Sequence, residues 1–281
     1  MNRPTNSFPK TLCIALVASA LVISASKAQV FTMHDANSIA TVDVTQNGGP
    51  GKGMNSWSVS GVNQLSKQWF WYRTSAGGLQ RSIDTISAPI ASQSSVGGPD
   101  LTVIYGNALF DLRIDYQMHG ATGGNADIQE SISIVNKTGS VLPFTFFQFS
   151  DFDLAGNPAG DSVSIHSNGT GYDQATQTKI ATQISETVIT PPADRTEANY
   201  APNTFNSLES AVGYNLNNVT SAGPGDVTWA YQWNFSIAPH AEQDILKDKI
   251  LSVDPVPEPS ALVLGLLGVG AFVLRRRGQV R

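Results

Sequence analysis

Two carboxylates and an amide lie close together in one segment of this 281-residue chain. Asp151 and Asp153 are two positions apart, and Asn157 follows in the same segment. Carboxylate and amide oxygens in a loop are the ligands that Ca²⁺ prefers. The spacing lacks the closing glutamate of an EF-hand, and the alternation of the acids with Phe152 and Leu154 favours the acidic end of a strand. A Ca²⁺ site at Asp151, Asp153 and Asn157 is therefore one hypothesis, beside that of a solvated strand end.

Other residue types with catalytic potential do not fall into recognised motifs. The histidines at positions 34, 119, 166 and 240 are scattered, and none lies in a metal-binding H-E-x-x-H segment. Gly160-Asp161-Ser162 lacks the strand–Ser–helix context of a nucleophile elbow. We therefore predict no catalytic residue and a non-catalytic protein. A secreted polysaccharide hydrolase or lyase stays as the alternative, because the paired carboxylates of such an enzyme are defined by a spatial separation that a sequence does not show.

The amino end has the pattern of a secretory signal peptide. Arg3 and Lys10 are basic, an apolar stretch follows from Leu12 to Ala25, and Ser26-Lys27-Ala28 places small residues at positions −3 and −1 of a cleavage site. The pattern predicts export through the Sec machinery and removal of residues 1–28 by signal peptidase, between Ala28 and Gln29.

The exported part of the chain is acidic and free of cysteine. The single cysteine, Cys13, lies in the predicted signal peptide, so disulfides and thiolate catalysis are excluded for the mature chain. Residues 29–256 contain 10 basic and 21 acidic residues, a net charge of −11 against −5 for the whole chain. A body of this charge argues against nucleic acid as a direct partner.

The carboxyl end combines an extended segment, a short apolar helix and a basic cluster. Val256-Pro257-Glu258-Pro259-Ser260 is held extended by its two prolines. Residues 261–274 have no polar side chain and rise about 21 Å as a helix, short of a bilayer core of roughly 30 Å. Arg275, Arg276 and Arg277 place their end in the cytoplasm by the positive-inside rule. The pattern predicts a transient inner-membrane anchor with Glu258 at the outer face.

These three parts, in this order at the end of the chain, resemble the PEP-CTERM sorting signal over about residues 256–278. The resemblance implies a Gram-negative bacterial protein that an exosortase processes near Pro257–Pro259. It also implies a final location at the cell surface or in the extracellular matrix, in association with exopolysaccharide. The same tail is known on ice-binding proteins. That function is disfavoured here, because the chain has no repeated T-x-T ladder.

The segment between the two ends has the pattern of an all-β domain. Residues 128–134 alternate apolar and polar side chains, as expected of a half-buried strand, and residues 67–73 are apolar on both faces, as expected of a central strand. Gly-, Pro- and Asn-rich turns separate many such segments. We predict one antiparallel β-sandwich, similar to a jelly roll, over residues 29–254, between a signal peptide at 1–28 and the sorting signal at 255–281.

Aromatic side chains are concentrated in two of these predicted strands. One group is Phe144, Phe146, Phe147, Phe149 and Phe152, and the other is Trp69, Trp71 and Tyr72. Aromatic faces on a strand either stack against sugars or fill a core. Core packing is the favoured interpretation for both groups.

Overall fold

The structure is a computed structural model, and it describes residues 29–49, 51–75, 78–121, 123–210 and 213–253. The predicted signal peptide, its cleavage site at Ala28, the sorting residues 256–260 and Arg275–Arg277 lie outside these ranges. No helix in the described ranges is both long and apolar enough to cross a membrane.

Eighteen strands and one short helix make up the described fold. The helix α1 is Asn203–Glu209, and single 3-10 turns occur at Ile83–Thr85 and Leu154–Gly156. The strands are β1 (Val30–Asp35), β2 (Ser38–Asp43), β3 (Gly53–Val59), β4 (Val62–Asn63), β5 (Leu65–Arg73), β6 (Arg81–Ser82), β7 (Ile90–Ser92), β8 (Asp100–Gly106), β9 (Phe110–Gly120), β10 (Asn125–Asn136), β11 (Leu142–Phe152), β12 (Asp161–Ser167), β13 (Tyr172–Lys179), β14 (Thr182–Thr190), β15 (Arg195–Tyr200), β16 (Ser221–Gly225), β17 (Val227–Ile237) and β18 (Glu242–Val253).

The strands form two antiparallel nine-stranded sheets. Sheet A has the order β1-β2-β3-β5-β11-β17-β15, with β4 paired to β3 and β6 paired to β5. Sheet B has the order β16-β12-β13-β14-β18-β10-β9-β8-β7. The prediction of an all-β antiparallel sandwich is confirmed. Chain order explains part of the topology, because β8, β9 and β10 follow one another as a meander, whereas β11 crosses to sheet A before β12 returns to sheet B.

The strands obey the hydrophobic pattern that the sequence shows. Along β10, buried and more exposed residues alternate, because one face of sheet B packs on the core and the other faces solvent. Strands β5, β11 and β17 are adjacent in sheet A and buried on both faces. The second face of sheet A is covered by loops and by α1, where Phe205 packs edge-on against Trp71 with ring centroids 5.9 Å apart.

The aromatic side chains of β5 and β11 form the core rather than a surface. All eight candidates for sugar stacking are buried. Phe152 stacks on Trp229 with centroids 5.2 Å apart, and Phe70 stacks on Phe146 at 5.4 Å. A ring enclosed in this way contributes several kcal/mol of transfer free energy, of the order of 1.5–3 per side chain. Packing therefore accounts for these aromatics.

Candidate functional site

Three carboxylates meet at one end of sheet A. Asp151 is near the end of β11, Asp153 follows that strand, and Asp226 immediately precedes β17. One carboxylate oxygen from each lies within 4.8 Å of the other two. The three come together because β11 and β17 are antiparallel neighbours, so that the end of one lies beside the start of the other. We call this group the acid cluster.

The acid cluster has unusual electrostatics. Burial, followed by the charges of Asp153 and Asp226, raises the pKa of Asp151 to about 7, although Ser66 and Lys67 act in the opposite direction. One oxygen of Asp151, Oδ1, is buried without a hydrogen-bond partner. Burial, then the charges of Asp226 and Asp161, raises the pKa of Asp153 as well. Like charges this close favour either a bound proton or a bound cation.

The structure changes the set of oxygen ligands that the sequence suggested. Asp151 and Asp153 do lie together, and Asp226 joins them from a distant part of the chain. Asn157 is exposed, and its side-chain Oδ1 accepts a hydrogen bond from the amide of Ala159 at 2.9 Å. That contact is an Asx turn, which gives Asn157 a local structural role. No signal in the linear sequence points to Asp226, because its relation to Asp151 depends on strand pairing.

Asp161 lies near the acid cluster but is engaged elsewhere. It is completely buried at the start of β12. Its Oδ2 accepts hydrogen bonds from the amide of Leu154 at 3.2 Å and from Nε2 of Gln177 at 2.7 Å, while Oδ1 lies 3.3 Å from Nζ of Lys179. Asp161 therefore ties β12 to the turn after β11 and supports the segment that carries Asp153.

A cleft of about 520 Å³ opens beside the acid cluster, where the edges of the two sheets meet. It lies between β15, the edge strand of sheet A, and β12 and β16 of sheet B. Asp226 directly follows β16, and Asp161 pairs with Gly225 of that strand, so the acid cluster adjoins one end of the cleft. The residues that line the cleft are Ser162, Val163, Glu197, Ala198, Asn199, Tyr200, Asn217, Val219, Ser221, Ala222 and Gly223.

Tyr200 is the exposed aromatic side chain of the cleft. It is 45% exposed, and its hydroxyl accepts a hydrogen bond from the amide of Gly223 at 3.2 Å. Its ring lies so close to Gly225 that a Cβ atom there would come within 2.8 Å of the ring. The absence of a side chain at Gly225 thus leaves room for the ring beside β16, and this contact and the hydrogen bond hold Tyr200 at the cleft.

Glu197 forms the floor of the cleft and is fully hydrogen bonded. Its carboxylate accepts hydrogen bonds from the hydroxyl groups of Tyr214 and Thr204, both at 2.6 Å, from the amide of Asn217 at 3.0 Å and from Nδ2 of Asn199 at 3.1 Å. The pKa of the Tyr214 hydroxyl is raised, first by burial and then by its hydrogen bond to Glu197 and the charge of that carboxylate. Because its hydrogen-bonding capacity is used, Glu197 serves to position the segment around Asn217 rather than to act on a ligand.

The carboxyl end of the chain matches a described motif. Residues 255–277 match the PEP-CTERM protein-sorting motif, as the sequence predicted. A tail of this kind implies export and processing by an exosortase. No curated protein matches the chain by sequence.

Solved structures share the fold of the described domain at low sequence identity. A bacterial glucoamylase complexed with acarbose superposes with a TM-score of 0.55 and 10% identity, over 87% of this chain and 35% of that one. The chain thus spans about a third of the glucoamylase. A putative aldose 1-epimerase from Escherichia coli K12 superposes with a TM-score of 0.54 and 10% identity, over 82% of this chain and 100% of that one.

A third structure gives the same result. A galactose mutarotase-like protein from Lactobacillus casei superposes with a TM-score of 0.50 and 9% identity, over 79% of this chain and 100% of that one. At such identity the likeness defines an architecture, a large antiparallel sandwich, and carries no activity with it.

Proposed function

We propose that this protein is a non-catalytic component of the cell envelope or extracellular matrix of a Gram-negative bacterium. It is exported through the Sec machinery, freed of its signal peptide by signal peptidase, and held transiently in the inner membrane by its carboxyl-terminal helix. An exosortase then processes it, and its sandwich associates with exopolysaccharide. The observation that carries the proposal is the PEP-CTERM motif at residues 255–277.

The tail provides the first test of this proposal. Changing Pro257 and Pro259 together to alanine removes a cost of roughly 3 kcal/mol for each proline inside a helix, so the segment can join the apolar helix that follows. We expect the unprocessed precursor to accumulate in the inner membrane of a host that contains the exosortase. The measurement is fractionation followed by mass analysis of the carboxyl end.

The matched control keeps both tail prolines and changes two exposed prolines of the described domain, Pro158 and Pro239, to alanine. This variant should be processed as the parent protein is, because the extended Pro-Glu-Pro segment is unchanged. Processing of the double-proline variant at the parental rate would refute recognition of the tail as a sorting signal and favour a plain membrane anchor.

The cleft at Tyr200 is the surface that we assign to polysaccharide. An exposed tyrosine ring stacks on the apolar face of a sugar, and the amides of Asn199 and Asn217 supply donors and acceptors for hydroxyl groups. A cleft of about 520 Å³ is within the usual range of small-molecule sites. The neighbouring carboxylates favour neutral sugars, or acidic sugars bridged by Ca²⁺.

Binding to immobilised exopolysaccharide with and without Ca²⁺ tests this assignment. The variant Tyr200→Ala should lose at least tenfold in affinity. The control Ile250→Ala removes a side chain of similar exposure from sheet B, outside the cleft, and should bind as the parent does. Equal binding by the two variants would exclude the cleft as the polysaccharide site without bearing on the sorting of the protein.

The acid cluster supports a second candidate function, a secreted polysaccharide hydrolase. Asp151 has its pKa raised to about 7, which is the property of a general acid, and Asp153 and Asp226 are close enough to act as its carboxylate partner. Release of reducing sugar from the exopolysaccharide, abolished in Asp151→Asn, would establish this function. Absence of release by the parent protein under conditions where it binds the polymer would leave the non-catalytic function as the better account.

A further inference from the structure

The centre of the sandwich contains ionic and amide side chains within its apolar core. Lys247 and Lys249 extend inward from β18, Glu130 from β10 and Glu186 from β14, all in sheet B. Their side chains are 0–1% exposed. Gln148 of β11 reaches them from sheet A and is also fully buried. We call these five side chains the core polar cluster.

One lysine of the core polar cluster contacts an amide as well as carboxylates. Nζ of Lys247 lies 2.5 Å from Oε2 of Glu130 and 3.2 Å from Oε1 of Glu186, and it donates a hydrogen bond to the side-chain carbonyl oxygen of Gln148. Lys249 contacts Glu130 and lies 3.7 Å from Glu186. The two lysines therefore differ in their contacts, since Lys247 donates a hydrogen bond to the amide of Gln148 as well as contacting both carboxylates.

The amide of Gln148 is also contacted from its nitrogen side. Nε2 of Gln148 donates a hydrogen bond to Oε1 of Glu186 at 2.5 Å, and the other oxygen of Glu186 accepts from the indole of Trp229 at 2.9 Å. The amine of Lys247 and the carboxylate of Glu186 thus contact the two ends of one side-chain amide. The walls are aromatic, with Nζ of Lys247 5.3 Å from the centroid of Phe70.

Removal of charged side chains from water costs free energy, and an uncharged amide bond in the same place avoids most of that cost. Burial opposes ionisation of Glu130, although the ammonium groups of Lys247 and Lys249 outweigh it and hold the pKa of Glu130 at about 2. Buried ion pairs recover little net stability after desolvation. The hydrogen bond from Nζ of Lys247 to the side chain of Gln148 keeps the amine beside the amide, and such proximity replaces a large entropic cost.

We propose that Lys247 and Gln148 react within the folded chain to form an isopeptide bond between the two sheets. The amine of Lys247 transfers a proton to Glu130 and attacks Cδ of Gln148. The tetrahedral intermediate loses its Cδ–Nε2 bond after Glu186 relays a second proton from Nζ to Nε2. The products are an Nζ–Cδ amide and one molecule of ammonia, with no oxidant or cofactor required.

The charges of the core polar cluster stay balanced through this reaction. Two ammonium groups and two carboxylates are present at the start. At the end, Lys249 remains charged, Glu186 remains ionised, and Glu130 keeps the proton that it received from Lys247. Once the charge of Lys247 is gone, burial favours that neutral acid, and the remaining charge of Lys249 opposes it. The products contain two fewer buried ions than the reactants, and the smaller desolvation cost favours the linked form.

The proposed bond would hold the last described strand to the opposite sheet. Strand β18 is the last described strand and leads to the segment that matches the sorting motif at 255–277. Force applied through that segment would act on β18 first. A bond from Lys247 to Gln148 would fix β18 covalently to β11 in the opposite sheet, in a mature chain that has no cysteine for a disulfide.

Peptide mapping of the full-length protein tests the proposal. Trypsin should release residues 138–179, which contain Gln148, joined to the peptide that carries Lys247, and the branched product should be lighter by one ammonia than the two peptides together. Trypsin should also fail to cleave after Lys247. Mapping is needed because cyclisation of an amino-terminal Gln29 would release ammonia too, and intact mass does not distinguish the two events.

Three variants separate the bond from ordinary ion pairing. Lys247→Met and Lys249→Met each remove one buried ammonium group, but the link should be lost in Lys247→Met and retained in Lys249→Met. Glu186→Gln keeps the shape of the side chain and should leave the folded protein unlinked. Recovery of residues 138–179 as an unlinked peptide of full mass from the folded parent protein would overturn the proposal, whatever the behaviour of the variants.

Discussion

Asp151 and Asp226 bring carboxylate oxygens within 4.8 Å of each other across the neighbouring strands β11 and β17. Asp153 joins them from the turn that follows β11. Burial, followed by the repulsion among these groups, raises the pKa of Asp151 to about 7. The acid cluster therefore lowers the free energy of unfolding at neutral pH unless a cation or a proton occupies it. Stability should for that reason depend on Ca²⁺ and on pH.

Calcium should stabilise the protein through the acid cluster. At a Ca²⁺ concentration of about 100 times the Kd, the linkage relation gives about 2.7 kcal/mol. For a domain of this size, that corresponds to a rise in Tm of roughly 5–10 °C. Differential scanning fluorimetry with Ca²⁺ and with a chelator gives the measurement, and Asp226→Asn should remove most of the response.

The control for this prediction is Asp244→Asn. Asp244 is an exposed acid on β18, outside the acid cluster, and its change alters net charge by the same amount. This variant should keep the full response to Ca²⁺. An identical Tm with Ca²⁺ and with chelator in the parent protein would contradict a cation site, and the interpretation of an acidic strand end would stand.

Stability without Ca²⁺ should fall as the pH rises through the titration of Asp151. Its pKa is about 7 in the folded state against 3.8 for the free side chain. Between these values the folded state binds a proton that the unfolded state has lost, so the free energy of unfolding decreases with increasing pH. The effect is fully developed above pH 7 and amounts to at most about 4 kcal/mol.

Urea denaturation in chelator at pH 5 and pH 8 measures this dependence. Asp151→Asn should flatten it and should make the Ca²⁺-free protein more stable at pH 8, because a neutral amide replaces a buried carboxylate. If Asp151→Asn leaves the slope against pH unaltered, the titrating group lies elsewhere.

Gly53 should be intolerant of alanine. It begins β3 with a φ of +92°, and a Cβ there would lie 2.5 Å from the carbonyl oxygen of Gln68 and 2.7 Å from the ring of Trp69. Both neighbours are buried and fixed, so we expect Gly53→Ala to lower the free energy of unfolding by about 2–4 kcal/mol. Gly139→Ala is the matched control, since a Cβ there meets no atom within 4 Å, and it should change stability by less than about 0.5 kcal/mol. Similar denaturation midpoints for the two variants would contradict the close packing described at β3.

Export should remove residues 1–28. The amino terminus of protein recovered from the envelope should then be Gln29, in open or cyclised form, as read by mass spectrometry of the terminal peptide. Replacing Ala28 with a large residue such as Phe should block cleavage between Ala28 and Gln29, because the −1 position accepts small side chains. Envelope protein that retains Met1 would contradict the presence of a signal peptide.

The sequence by itself determined the class of fold and the presence of a sorting motif. Residues 128–134 and 67–73 have period-two and continuous apolar patterns, and these are local properties that pleated strands satisfy directly. The sorting motif at residues 255–277 is also a linear feature, because it is defined by residues that follow one another in the chain. Such features need no tertiary contact to be recognised.

The tertiary structure decided which side chains meet. Asp226 joins Asp151 because β17 pairs with β11, and Lys247 reaches Gln148 because two sheets stack face to face. Each of these relations joins residues that are far apart in the sequence, and a strand pattern does not specify its partner or the opposing sheet. For the same reason the sequence suggested Asn157 as a ligand by proximity along the chain, while the fold placed Asp226 beside the two aspartates. Linear spacing identifies the groups that have chemistry, and strand order determines which of them act together.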